Sequence, residues 1–329
     1  MPENKPDVFL NDDGVCNICL AHDYSKKIEI SQKPLESDLI KILDKHRGKK
    51  RYDCMVMCSG GKDSTSALYF MKKRYNLNIL AFMFDHGFET QEAIRNVEVA
   101  VEKLNIDLIL YKSSFMKPMF EKMITSDSKA VICHPCSIWY MDLAFDVAAR
   151  YDIPLIVAGW TKGQSTKQEV MSKCGCNVHA AEFKAMADST KTFLDNELKD
   201  LPQYHDFPKS MEEVLKRAKK KHKSLVISPH WFLPYGPDEY VKIIQTELDW
   251  KAPKLSYPAG STNCTLNFIS VHNSLKHFGY THYHVEASKL IREGVITREE
   301  ALEQLKINFN QETLQDVAAK MNIDFSKYL

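Results

Sequence analysis

Three groups of residues in this 329-residue chain combine side-chain types and spacings that chemistry uses. The first is 54-CMVMCSGGKDSTSALYF-70, an apolar run that breaks at two glycines and restarts as a helical pattern. Adjacent glycines let backbone N–H groups converge, and a helix N-terminus just beyond them favours an anion. The loop SGGKDS adds small hydroxyls, a lysine and a carboxylate, so it reads as a phosphate cradle. It is not the common P-loop, which needs GxxxxGK[ST] spacing. A plain strand-to-helix turn has no use for Ser-Gly-Gly followed by Lys-Asp-Ser. The second group is Cys133 and Cys136, in CHPC ahead of a helix, with Cys264 alone in 260-GSTNCTL-266. The third is Cys16 and Cys19 in DGVCNIC, a half-site for Zn²⁺, with Cys174, Cys176 and His179 in CGCNVH as a distant second half or a sulfur acceptor. Cys54 and Cys58 sit in the apolar run, where small buried hydrophobes are the plainer reading.

The elements that must position these groups follow from periodicity. Residues 1–50 form a polar N-terminal segment with CxxC and a short amphipathic helix near 36–46. From 53 onward strands and helices alternate: DCMVMC, NILAFMFD, DLILYK and IPLIVAGW are strands, separated by TQEAIRNVEVAVEKL and WYMDLAFDVAARY as amphipathic helices. Such alternation predicts an α/β fold, a Rossmann-like parallel sheet flanked by helices, with ligands at the carboxyl ends of the strands. SGGKDS, FDHG and GWTKG all fall there. After about 165 the alternation is lost. The expected organisation is an N-terminal segment (1–50), an α/β domain that carries the phosphate loop (51–200) and a mainly helical C-terminal substrate part (201–329). In the last part, Thr297 followed by Glu300 predicts a helix start. A net charge of +1 and the absence of a long apolar run argue against a nucleic-acid-dominated or membrane-spanning protein. The polar N-terminus is no secretory signal, and nine cysteines are then free thiols or ligands of a cytoplasmic protein rather than a disulfide framework.

The loop closely resembles the PP-loop, SGGxDS, of the ATP pyrophosphatase superfamily. The resemblance covers roughly residues 50–165. It implies cleavage of ATP between the α- and β-phosphates, with a carbonyl oxygen adenylated and AMP later displaced by a nitrogen or sulfur nucleophile. Carried over by position, Ser59, Gly60, Gly61, Lys62, Asp63 and Ser64 hold the pyrophosphate end with Mg²⁺ assisting, and Cys58 leads into that set. The stretch 82-FMFDHG-87 frames the adenine through Met83 and Phe84, and Gly159 lies against the nucleotide. Lys62, Asp63 and Lys162 take the catalytic roles. At the fourth strand the chain reads 159-GWTKGQ-164, without the acidic pair of several tRNA-modifying relatives.

Two further resemblances concern the nucleophile. A CxxC before a helix with one distant cysteine is similar to iron–sulfur-dependent tRNA thiolases of the superfamily, implying a [4Fe–4S] cluster on Cys133, Cys136 and Cys264. DGVCNIC, YDCMVMCSGGKDS and 276-KHFGYTHYHVEASKLIREGVITREEAL-302 are similar to N-acetyl-sugar amidotransferases of surface-polysaccharide biosynthesis, which take ammonia from a glutaminase subunit. The leading expectation is ATP-dependent sulfur transfer to a nucleotide-like or other small substrate. The alternatives are amidotransfer, tRNA thiolation and non-catalytic ATP binding. The run 216-KRAKKKHK-223 reads as a solvated helix face rather than a phosphate-binding surface, which favours a small substrate over tRNA. A sulfur donor or a glutaminase is the expected protein partner, with a homodimer as the assembly and no membrane contact.

Overall fold

The computed structural model describes residues 1–3, 8–22, 35–161, 181–199, 201–261 and 263–329. At its centre lie five parallel strands: β1 (Cys54–Met57), β2 (Ile79–Asp85), β3 (Asp107–Lys112), β4 (Leu155–Val157) and β5 (Leu225–Ile227), in the order β3-β2-β1-β4-β5. Cys54 pairs with Ile79, Met55 with Ile156, Leu80 with Asp107 and Leu155 with Leu225. The middle strands read as apolar runs because both faces of the sheet are covered. Met55, Met57, Leu80, Phe82, Phe84 and Ile156 point into one core, and Cys54, Val56, Ala81, Met83, Leu155 and Val157 into the other.

Helices fill both faces. On one side α1 (Glu36–Asp44), α2 (Lys62–Tyr69, running on into a π-helical turn, Phe70–Arg74) and α3 (Gln91–Leu104) bury Leu39, Leu68, Met71 and Val97. The other side carries α4 (Lys117–Thr125), α5 (Cys133–Arg150), α6 (Ala181–Glu197) and α7 (Met211–Lys221). α8 (Pro237–Leu248) returns to the first face, seating Tyr240 and Ile244 beside α2. The chain then closes with α9 (Leu266–Phe278), α10 (His282–Arg292), α11 (Arg298–Gln304) and α12 (Gln311–Ala319). Phe268, Ile269, Leu314 and Phe325 share the core of α4 and α5, so the C-terminal part is built onto the sheet's second face.

The fourfold alternation appears as expected, and the helix start at Thr297 is a reciprocal capping box: Glu300 N–H donates to Thr297 Oγ1 (3.1 Å) and Thr297 N–H to Glu300 Oε2 (2.7 Å). The fifth strand is an addition. Its three residues follow the basic run of α7 and belong to the 201–329 stretch, too short for a strand pattern to show. The basic run itself makes local pairs, Arg217 with Glu213 (2.5 Å) and Lys221 with Asp146 (2.6 Å). No helix among the described residues is long and apolar enough to cross a membrane.

Phe82 is fully buried at the centre of the sheet. Phe82→Ala should cost about 3–5 kcal/mol of unfolding free energy, read as a shift of the urea midpoint at constant slope.

Candidate active site

The chain leaves β1 through Cys58 and Ser59 and turns at Gly60, whose φ of 75° suits glycine. A Cβ at Gly60 would lie 2.0 Å from the Ala93 carbonyl oxygen, and one at Gly61 would lie 2.4 Å from Asn263 Nδ2. The Gly60 carbonyl accepts from Asn96 Nδ2 (3.0 Å) and Trp250 Nε1 (2.9 Å). Gly61 then heads α2 without a side-chain cap, so the first-turn N–H groups are left for an anion. Ser59 N–H donates to Ser64 Oγ (3.1 Å), and Asn263 Nδ2 donates to Ser59 Oγ (3.3 Å). Lys62 Nζ lies 2.9 Å from Asp63 Oδ2, while Tyr240 donates to the other carboxylate oxygen. His230 Nε2 sits 2.8 Å from the Asp63 carbonyl and props the start of the helix. The result is a rigid anion cradle with one cation and one carboxylate at its lip.

The remaining loop-associated residues have defined places. Gly159, just past β4, would drive a Cβ to 2.5 Å from Ser64 N and 2.6 Å from Ser64 Cα. Only glycine lets that strand end approach the loop helix so closely. Cys58 turns its thiol into the core, where burial pushes its pKa up to about 12. Its backbone carbonyl, like that of Phe82, accepts from Tyr140 Oη (3.1 and 3.0 Å). Met83 and Phe84 are both buried in β2, on opposite faces. Lys162 and the Cys174, Cys176 and His179 group lie outside the described residues. His230, Trp231 and Tyr235 pack against the domain: Tyr235 stacks on Phe70 at 5.3 Å and Trp231 lies against Trp160.

Beyond the cradle stand the cysteines. Cys133 opens α5, with Cys136 one turn on, and Cys264 precedes α9. His86, at the end of β2, brings them into one neighbourhood: its Nε2 lies 3.6 Å from Cys264 Sγ and 3.2 Å from Glu89 Oε1. Burial works against protonating His86, but the sulfurs of Cys264 and Cys136 facing its ring outweigh this and raise its pKa. Burial also pushes the Cys264 thiol up, and the Cys133 thiol up to about 12 although Ser270 hydrogen-bonds it. Ligand atoms of His86, Glu89 and Cys264 lie within 4.8 Å of one another. Asn263, His86 and Glu89 were not singled out in the sequence, although the strings FDHG and GSTNCTL contain the first two. Cys16 and Cys19 are hydrogen-bonded to each other. Burial raises Cys16, but bonds from Cys19 and Ile18 outweigh it and lower its pKa; Cys19 is raised by burial and by the same bond.

A parallel sheet with SGGKDS between its central strand and the following helix is the arrangement of the PP-loop ATP pyrophosphatases, a class of ATP-using enzymes that the chain is similar to over part of its length. Residues 53–198 match the family model of queuosine biosynthesis protein QueC, and residues 262–328 match the C-terminal domain of LPS biosynthesis protein WbpG-like chains. An uncharacterized protein of Methanocaldococcus jannaschii is 23% identical over 306 residues, covering 92% of this chain and 90% of its own length. Among solved structures, the U34-tRNA thiolase NcsA of Methanococcus maripaludis with its [4Fe–4S] cluster is 16% identical, covering 83% of this chain and 81% of that one at a TM-score of 0.38. NMN synthetase of Francisella tularensis is 12% identical, with coverages of 82% and 89% and a TM-score of 0.40. NH3-dependent NAD synthetase of Campylobacter jejuni is 15% identical, with coverages of 60% and 93% and a TM-score of 0.32.

Gly159→Ala should push the β4 end off the loop helix, costing about 1–3 kcal/mol of stability and weakening ATP binding in calorimetry. Gly236→Ala is the control. Its Cβ would meet nothing nearer than Glu239 Oε2 at 3.6 Å, and stability should stay within about 0.5 kcal/mol.

Proposed function

We propose that this enzyme adenylates the carbonyl oxygen of a small substrate and replaces that oxygen with sulfur, using a [4Fe–4S] cluster on Cys133, Cys136 and Cys264. The observation that carries the reading is that sulfurs from α5 and from the segment before α9 share one neighbourhood with His86, at the same end of the sheet as the loop. The donor set fits the group. Thiolates are what iron–sulfur clusters take, and CxxC on a first helical turn plus one remote cysteine leaves one iron without a protein thiolate. His86, Glu89 and Cys264 bring ligand atoms within 4.8 Å of one another beside these cysteines. A bound cluster would supply a sulfide nucleophile.

The chain's own residues account for the rest. The first-turn N–H groups of α2 and the Lys62 ammonium receive the β- and γ-phosphates, and Asp63 offers a carboxylate for Mg²⁺. The substrate's carbonyl oxygen attacks the α-phosphorus and pyrophosphate leaves. A nucleophile then adds to the same carbon, and AMP departs with the original oxygen. Adenylation is needed because an amide-type oxygen is a poor leaving group and AMP is a good one. A small substrate is taken over tRNA because the basic run of α7 fits a solvated helix face, two of its cations being paired, Arg217 with Glu213 and Lys221 with Asp146.

A second reading, ammonia as the nucleophile, is favoured by the WbpG-like match over 262–328, the stretch that contributes Cys264. Amide-oxygen activation on a sugar would then be followed by nitrogen transfer from a glutaminase partner.

Three measurements test the proposal. With ATP and Mg²⁺ the products should be AMP and pyrophosphate, and Lys62→Ala should lower their release about 10²–10³-fold. Anaerobic reconstitution with iron and sulfide should give a visible cluster absorption that Cys133→Ala and Cys264→Ala each abolish; an unchanged band in those variants defeats the cluster assignment. Product mass then separates an oxygen-to-sulfur from an oxygen-to-nitrogen exchange.

A further inference from the structure

Where β2 and β3 end, beside His86 and Gly87, a cavity of about 270 Å³ opens that neither the SGGKDS loop nor Met83, Phe84 or Gly159 lines. Its charge is one-sided. Lys112 comes from the end of β3, Lys117 from the first turn of α4, and Lys320 from the residue after α12. Three elements spread over two hundred residues therefore bring ammonium groups to one small space. Lys112 lies 3.3 Å from Asp85 Oδ2, which balances one charge. Lys117 and Lys320 have no ion-pair partner among the described residues. Lys112 and Lys320 are exposed, so solvent screens their mutual repulsion, and an anion seated among the three ammonium groups is attracted by all of them.

The uncharged lining suits the same occupant. Ser113 Oγ accepts from Phe115 N–H (3.1 Å), so its own hydroxyl proton remains to be donated, and Ser114 stands exposed beside it. The start of α4 is not itself the anion site, because Pro118 has no N–H and Met119 N–H already donates to Tyr204 Oη (3.2 Å). His86 belongs to both regions. It lines the cavity, its Nε2 faces Cys264, and its buried Nδ1 has no hydrogen-bond partner. A buried ring nitrogen without a partner is costly unless a ligand supplies one.

We propose that this cavity is an anion subsite for a phosphoryl group on the small substrate, separate from the SGGKDS loop. It anchors the substrate with its reactive carbonyl lying towards His86 and the cysteines. The inference rests on the reading that the substrate is activated at this end of the sheet, and it adds that the substrate is phosphorylated. A phosphoryl dianion matches two free ammonium groups and hydroxyl donors better than a monoanion does. A volume of about 270 Å³ is enough for a phosphoryl group and part of the small molecule that carries it.

The test uses the full-length protein with its loop filled by a non-hydrolysable ATP analogue. Inorganic phosphate is titrated by calorimetry, and a single-stranded RNA is titrated in a parallel arm. The Lys117→Gln/Lys320→Gln double variant should bind phosphate at least tenfold more weakly, with the ATP-analogue affinity and melting temperature unchanged. Lys62→Ala should leave phosphate binding intact. Unchanged phosphate affinity in the double variant overturns the proposal, as does phosphate that the ATP analogue displaces from the wild-type protein. RNA binding that the double variant loses, with no phosphate binding, assigns the lysines to a nucleic acid and also overturns it. AMP and pyrophosphate formation, measured separately, reports on the adenylation reading, so failure there and failure of the phosphate titration are distinguishable.

Discussion

The carbonyl of Gly60 is the point on which the site depends. It accepts from Asn96 on α3 and from Trp250 beyond α8, and the same Asn96 also bonds both backbone groups of Lys251 (2.8 and 3.0 Å). Two helices that meet on one face of the sheet are thereby tied to a single peptide unit. With the carbonyl turned outward and held, the loop's N–H groups stay turned toward the ligand side before any ligand arrives. Gly159 presses from the β4 side, against Ser64, so the loop is wedged between two strands and a helix. An anion site held this way needs little reorganisation when charge arrives, which is where the electrostatic part of catalysis comes from.

The C-terminal part acts on the same loop from above. Thr90 N–H donates to the Asn263 carbonyl (2.7 Å), Thr265 N–H to the Phe88 carbonyl (2.9 Å), and Glu89 bridges to Cys264. Asn263 then reaches Ser59 with its side chain. The segment after β2 and the segment before α9 are therefore stitched residue by residue, and that stitching sets Cys264 beside His86. The two stretches matched by separate families, 53–198 and 262–328, meet at this seam. The site is a property of their junction.

How much of this was readable in the sequence divides along physical lines. The loop, β1, β2 and β4 announce themselves because a strand buried on both faces is an uninterrupted apolar run, and because adjacent glycines before a lysine mark a phosphate turn; β3, an exposed edge strand, shows only through its short apolar stretch LIL. β5 did not, since three residues after a lysine-rich helix carry no periodicity. Cys133, Cys136 and Cys264 were visible as residue types with spacing. His86, Glu89, Asn96 and Asn263 were not, because their roles come from contacts across as many as two hundred residues of chain. Trp250 likewise looked like one aromatic among many, yet its indole N–H is one of the two donors that hold the loop.

The arrangement also constrains the order of chemical events. On the proposed reading the phosphate end of ATP would sit at α2; the cysteines stand past the end of β2, with His86 between Cys264 and the lysine-lined cavity. A substrate carbon that has taken up AMP must keep its oxygen on the α-phosphorus while the incoming atom approaches from another side. The loop occupies one side and the buried core below it closes another. Beside it stand Cys264, His86 and Glu89, where soft sulfur, imidazole nitrogen and carboxylate lie within 4.8 Å. On the proposed reading, that group would lie on the path of the nucleophile, sulfur or nitrogen, to the activated carbon.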